Sequence, residues 1–325
     1  MKFRGAYSHD IRAPNMQELF LAGATGNALI SMPANSPTPG IFNIHTQTNG
    51  NLNLKPEKAN TLTAGVVVTP SFLPGFAASF DFWNIKMKDR IGTTGGQTAV
   101  DFCYTGHTEF CDNIVFVNGA LDAVLSQPVN FASQHAKGFD LEVSYRTPLS
   151  AISAKLPGNF SIHAAATRYL KNVVDDLVFP VDYAGVIANG GTDNPASPKW
   201  MYRVSAFYEI DPVTINLVGR GFNSGVYSNE WIECSSNCPV STPTVRTINN
   251  NRIPGALYFD GSVSVKLRPA GTDTRLTFVV NNIFNRDPAP FGIEPLSFYF
   301  GFPPAARPLY DTIGRVIRVA LTTKF

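Results

Sequence analysis

Short and long connections alternate without exception along this chain, and that regularity limits its fold more than any single motif. The short ones fall at Pro70–Gly75, Pro148–Gly158, Asp211–Pro212 and Pro269–Gly271. The long ones cover about residues 9–57, 90–132, 171–198, 224–253 and 283–313. Between them apolar side chains recur at every second position, the pattern of a strand with one greasy and one wet face. NTLTAGVVVT sets Leu62, Ala64, Val66 and Val68 against Thr61, Thr63, Gly65 and Thr69. KGFDLEVSYR sets Phe139, Leu141, Val143 and Tyr145 against Asp140, Glu142, Ser144 and Arg146. The closing GRVIRVALTTKF sets Ile317, Val319, Leu321, Thr323 and Phe325 against Arg318, Ala320, Thr322 and Lys324. In FAASFDFWNIKMK the phase slips near Trp83, which predicts a bulge or a strand running above the apolar zone. About ten such segments can be placed, each near the 9–11 residues of a tilted membrane strand.

A soluble sandwich or propeller has no reason to send every second connection, at such lengths, to the same end. No regular period of about 40–50 residues supports a propeller either. A bacterial outer-membrane barrel has short periplasmic turns and long extracellular loops by construction. Composition agrees: charged residues are 15% of the 325, and aromatics 12%. No apolar run approaches the roughly 18 residues of a membrane helix. A formal charge of +2, with no basic run, argues against a nucleic-acid partner. The expected fold is therefore all-β: an antiparallel transmembrane β-barrel with long extracellular loops, in the outer membrane of a Gram-negative cell. The N-terminal MKFRGAYS lacks the apolar stretch of a signal peptide and reads as a strand already in progress. A fragment or truncated gene model is the expectation that follows.

Four stretches resemble one family, the TonB-dependent outer-membrane receptors. YSHDIRAPNMQELF is similar to that family's arginine-alanine-proline signature, with Ile11 where Phe is commoner. NLNLKPEKANTLTAGVVVTPSFLPGFAASFDFWNIKMKDRI resembles its leucine-x-proline-glutamate segment and the hairpin after it. VVNNIFNRDPAP resembles its asparagine-leucine-phenylalanine-aspartate turn, and YDTIGRVIRVALTTKF its glycine-arginine closing strand. The resemblance implies a barrel of about 22 strands around an N-terminal plug that carries the box pulled by TonB. Residues 1–325 would then be the C-terminal portion of such a barrel, about ten strands, without plug or TonB box. The implied function is energy-dependent uptake of a scarce nutrient (siderophore, cobalamin or saccharide), with no chemistry on the substrate and no cofactor. The alternative is a passive or structural barrel, porin-like or adhesin-like. Implied partners are outer-membrane lipid, the barrel assembly machinery reading the terminal Phe325, a small-molecule ligand, and the TonB complex only through the missing plug.

Within the long loops, Cys103 and Cys111 stand in CYTGHTEFC, and Cys234 and Cys238 in CSSNC. Short-range pairs confined to two loops read as two local disulfides in an oxidising compartment. Zinc is the competing idea, with His107 between the first pair, but the spacings fit zinc patterns poorly. No recognisable catalytic motif surrounds any of the five histidines. Trp231, Phe298, Tyr299 and Phe300 are candidate ligand contacts, because rings on loops offer large rigid surfaces. Tyr227 and Tyr310 read instead as members of an aromatic girdle at the membrane interface. Arg12 and Glu57 are expected to shape a loop base, not to bind substrate. Asp140, Glu142, Arg146, Lys266, Arg318 and Lys324 are expected on the lumen wall, paired with a plug or with one another.

Overall fold

The computed structural model describes residues 1–177, 180–188, 196–241, 246–267, 273–290 and 309–324. Ten strands form its main sheet: β1 (Lys2–Arg12), β2 (Glu57–Val68), β3 (Phe76–Thr93), β4 (Pro128–Pro148), β5 (Asn159–Asp175), β6 (Trp200–Ile210), β7 (Val213–Phe222), β8 (Ala256–Leu267), β9 (Asp273–Asn281) and β10 (Val316–Lys324). Each pairs antiparallel with the next in chain order, and Val181–Asp182 adds a short eleventh strand beside β5. The path ends on β1 and β10, which do not pair with each other. The sheet is a partial barrel wall, all-β and antiparallel as the alternation required.

Register carries the two faces across the whole wall. One row runs Phe3, Val66, Phe80, Leu141, Ala166, Tyr202, Gly221 and Leu257 from β1 to β8. The adjacent row on the other face runs Arg4, Gly65, Asp81, Asp140, Thr167, Met201 and Phe222. The outer face leaves Phe3, Val319 and Leu321 each about two-thirds or more exposed. An apolar band this wide is a liability in water and a natural surface in hydrocarbon, where only closed β structures satisfy their backbones.

Strands β3, β4 and β5 run for 18, 21 and 17 residues, well past the 9–11 expected. The slip near Trp83 resolves accordingly. Alternation continues unbroken through Trp83, which faces inward beside Gly138, while the outward positions turn polar from Asn84 on. The strand is leaving the apolar zone; the register irregularity comes later, between Met87 and Ile91. A second bulge leaves Leu170 of β5 unpaired, since Lys137 and Gly138 oppose Lys171 and Tyr169.

The long loops carry structure of their own. Hairpin Ala24–Met32/Gly40–Thr48 from the first pairs in parallel with hairpin Ile114–Val117/Ala120–Ser126 from the second. Helix α2 (Gly96–Thr105) packs on this four-stranded sheet. Ile30, Ile44, Val100, Phe110 and Val124 form a buried core with Phe102, and Phe131 of β4 packs against it. The ring of Phe110 lies 4.9 Å from Phe102 and 5.6 Å from Phe131, so the loop unit is keyed to the barrel wall. A disulfide joins Cys103 at the end of α2 to Cys111, and another joins Cys234 to Cys238. With both sulfurs of each pair bonded, neither pair is a zinc ligand.

The segments that carry the family resemblance turn out to fasten loop bases. Arg12 donates to Glu57 at 2.6 and 2.8 Å and to Glu18 at 3.0 Å twice. Glu18 in turn completes a capping box with Asn15 on helix α1 (Met16–Phe20), satisfying its first N–H groups. Glu57 is buried and also accepts the Ile91 N–H at 2.7 Å, which ties β1, β2 and β3 together at the base of the first loop. At the far edge, Asn282 accepts from Arg286 N–H and donates to Arg286 C=O, closing the NNIFNR turn. Asn285 then accepts the Arg315 N–H at 2.8 Å, docking that turn on the start of β10.

Candidate functional site

The inner wall under the first three long loops holds a cleft of about 570 Å³. It is built where β3, β4 and β5 present their wet face. Trp83 and Tyr169 meet edge to face at 5.4 Å on one side. Trp83 can lie there only because residue 138 is glycine: a Cβ would come within 2.5 Å of its ring. On the other side Thr167 donates to Asp140 at 2.6 Å, Gln134 to Asn172 at 2.7 Å, and Asn172 to Ser197 at 3.0 Å. Two aromatic edges beside a row of side-chain amides, hydroxyls and one carboxylate can stack on and hydrogen-bond a polar organic molecule. Asp140 was legible as a lumen residue. Trp83 and Tyr169 were missed, although two large rings on the wet face of otherwise alternating strands were the available signal.

A second cluster closes the rim between the third, fourth and fifth long loops. Ile187, Ile253, Phe222, Tyr258 and Tyr310 are buried together. Tyr310 packs edge-on against Phe222 at 5.1 Å and donates to the Pro254 carbonyl. Burial pushes its phenol up to about 12, with Tyr258 adding to the rise. Tyr310 is therefore a core residue of the rim, not part of an outward girdle; its hydroxyl finds a carbonyl where water cannot reach. Arg220 fastens this rim, donating to Asp260 at 2.7 Å and to Asp311 at 3.0 Å.

Trp231 is half-buried and stacks on Tyr227, with ring centroids 6.0 Å apart and planes 10° apart. The Arg246 guanidinium sits 5.4 Å from the same ring. Its ring is held rigid by its own neighbours, and Tyr227 belongs to that stack. Phe298, Tyr299, Phe300 and Phe325 lie outside the described residues. On the inner wall Asp140, Glu142 and Arg146 share one face of β4, and Arg318 reaches Asn281 at 2.7 Å. Lys266 pairs with Asp211 at 3.7 Å. His9 and His135 bond to Asn60 and Asn84, and His107 faces Glu109 at 3.6 Å.

Solved structures with this architecture include the siderophore receptor PirA from Acinetobacter baumannii, at TM-score 0.57 and 15% identity. Another is the ferric enterobactin receptor PfeA from Pseudomonas aeruginosa, in complex with enterobactin, at TM-score 0.56 and 13% identity. Each match covers 98% of this chain and 38% of the other, so the chain spans about two-fifths of the length of these structures. At such identities the likeness shows the fold alone. No curated protein matches the chain. The family model described as TonB dependent receptor-like, beta-barrel, matches residues 1–283, most of the sheet and the first four long loops, and the chain belongs to that family.

Proposed function

We propose that residues 1–325 form the C-terminal portion of the barrel of an outer-membrane receptor that imports a scarce nutrient with energy delivered through TonB. The observation that carries this reading is the match of the family model to residues 1–283, which hold nine of the ten strands of a meander whose long loops share one end. Its ends at β1 and β10 are the edges at which the remaining strands of a larger barrel would add. The protein does no chemistry on its cargo. The inner cleft at Trp83 and Tyr169, together with Trp231, Phe298, Tyr299 and Phe300, would contact a polar organic ligand by stacking and hydrogen bonding. A ferric siderophore, a cobalamin or a saccharide each offers such groups; the siderophore receptors of like fold favour the first as the starting probe.

Uptake of labelled ferric siderophores, cobalamin and oligosaccharides by cells with and without the full-length receptor tests the proposal. Receptor-dependent accumulation of one cargo, abolished when the inner-membrane proton gradient is collapsed, is the expected result. Accumulation indifferent to that gradient would make the protein a passive pore and refute it.

A further inference from the structure

The outward face of β2, β3, β4 and β5 changes character at one level of the register. Below that level β2, β3 and β4 present Ala64, Phe80, Phe82, Phe139 and Leu141, while Arg168 of β5 lies in the row of Phe82 and Phe139 with its guanidinium 5.0 Å from the Trp200 ring. Directly above it come Lys137 opposite Lys171, in the row of Asn84 and Leu62, then Lys86 beside His135, and then Lys58 and Lys88, which are cross-strand neighbours. The bulge at Leu170 is what brings Lys171 round to this face, since Tyr169 and Asn172 both line the inner cleft. Lys86 is the cross-strand neighbour of His135, and Lys137 and Lys171 face each other one outward position below it on β4 and β5, so the three lysines share adjacent positions of one face. Lys137 also reaches over the Phe82 ring at 6.0 Å, laying its aliphatic stem on the top of the apolar band. None of these five lysines has an ion-pair partner among the described residues. Of the acids near them, Glu57 and Asp140 are on the inner face, and Asp175 accepts the Leu177 N–H.

Unpaired like charges on adjacent strands repel, and they repel more strongly at the edge of a hydrocarbon layer. The anion that would relieve them must stand at headgroup height against an apolar wall. We infer that this patch binds the phosphate groups of an outer-leaflet lipid headgroup, whose acyl chains lie along Phe80, Phe82, Phe139 and Leu141. Juxtamembrane lysine clusters recognise phosphorylated lipids in this way. The inference rests on the outer face being lipid-facing, as the receptor reading requires.

Full-length receptor, purified from outer membranes in a neutral detergent, is offered a phosphorylated lipid A, the same glycolipid after dephosphorylation, or inorganic phosphate. Bound copies are counted by native mass spectrometry. The phosphorylated lipid is expected to bind roughly tenfold or more tightly than its dephosphorylated form. The Lys86→Gln, Lys137→Gln, Lys171→Gln triple variant should lose that preference, and the matching Lys→Arg triple should keep it. If the glutamine triple fails to assemble, each single glutamine variant should lower affinity about fivefold. Equal binding of the two glycolipids, or glutamine variants that bind like the parent, overturns the inference. Displacement of the lipid by equimolar inorganic phosphate overturns the assignment to a lipid. A protein missing from the outer-membrane fraction counts against the receptor reading; one present there but indifferent to lipid phosphate counts against this inference alone.

Discussion

Replacing Arg12 by alanine should loosen the base of the first loop far more than its surface position suggests. Glu57 is only 6% exposed and holds three hydrogen bonds, two from Arg12 and one from the Ile91 N–H. Arg12→Ala leaves a buried carboxylate with a single donor. Breaking a fully buried pair in this way costs about 3–5 kcal/mol. The Arg12 side chain is 45% exposed, so water can reach the vacated position and the cost falls to about 2 kcal/mol. That is roughly a thirtyfold shift in the local opening equilibrium. By contrast, Glu18→Gln weakens only the outer, solvent-facing pair and should cost about 0.5 kcal/mol. Amide hydrogen exchange reads both, at the Ile91 N–H and in the peptide that contains it, on the full-length receptor in detergent. Arg12→Lys, which keeps the charge but not the paired bonds, should fall between. Exchange at Ile91 within twofold of the parent in Arg12→Ala, or a larger effect from Glu18→Gln, would refute the reasoning.

Other outcomes follow from the same geometry. Phe110→Ala removes a fully buried ring at the centre of the loop unit and should destabilise that unit by about 3–5 kcal/mol, seen as faster exchange over α2 and both hairpins with the wall strands unchanged. Gly138→Val should drive the Trp83 ring off Tyr169, shifting tryptophan emission to the red, and should also loosen the β4–β5 pairing beside it, because the added Cβ meets the Arg168 backbone carbonyl as well as the ring. Tyr310 titrates higher folded than the usual tyrosine value near 10, so its contribution to the rim is complete below about pH 10 and is lost as pH rises toward 12. Protease cleavage near Pro254 should increase over that window in the parent and stay flat in Tyr310→Phe.

Sequence legibility followed the reach of the physics involved. Period-two alternation is local, so the strands, their faces and the short turns at Pro70–Gly75, Pro148–Gly158 and Asp211–Pro212 could be read from residues such as Leu141 and Asp140 without any partner in view, while Pro269–Gly271 lies outside the described residues. Strand length could not, because β3 to β5 keep alternating after their outward residues become Asn84, Lys86 and Lys137, where polarity mimics a loop. The loop unit was hidden for a related reason. Its core joins Ile30 and Ile44 to Phe110 and Val124, residues far apart in sequence, and the parallel pairing of two hairpins leaves no periodic mark. Tyr310 was misread as a girdle residue because an aromatic near a strand end looks the same whether it faces lipid or a buried rim. The Arg12–Glu57 tie was anticipated as a loop-base feature; its third partner, the Ile91 backbone, carries no side-chain signature at all.

The claim that this sheet is a membrane wall is tested most directly along β10. Single cysteines are introduced from Ile317→Cys to Thr322→Cys in the full-length receptor and treated, in outer-membrane vesicles opened to both sides, with a membrane-impermeant maleimide. The four native cysteines are consumed in disulfides and stay silent. Positions 318, 320 and 322 belong to the inner, wet face and should react, whereas 317, 319 and 321 face lipid and should not. Uniform reaction at all six positions, or the opposite alternation, would contradict the account.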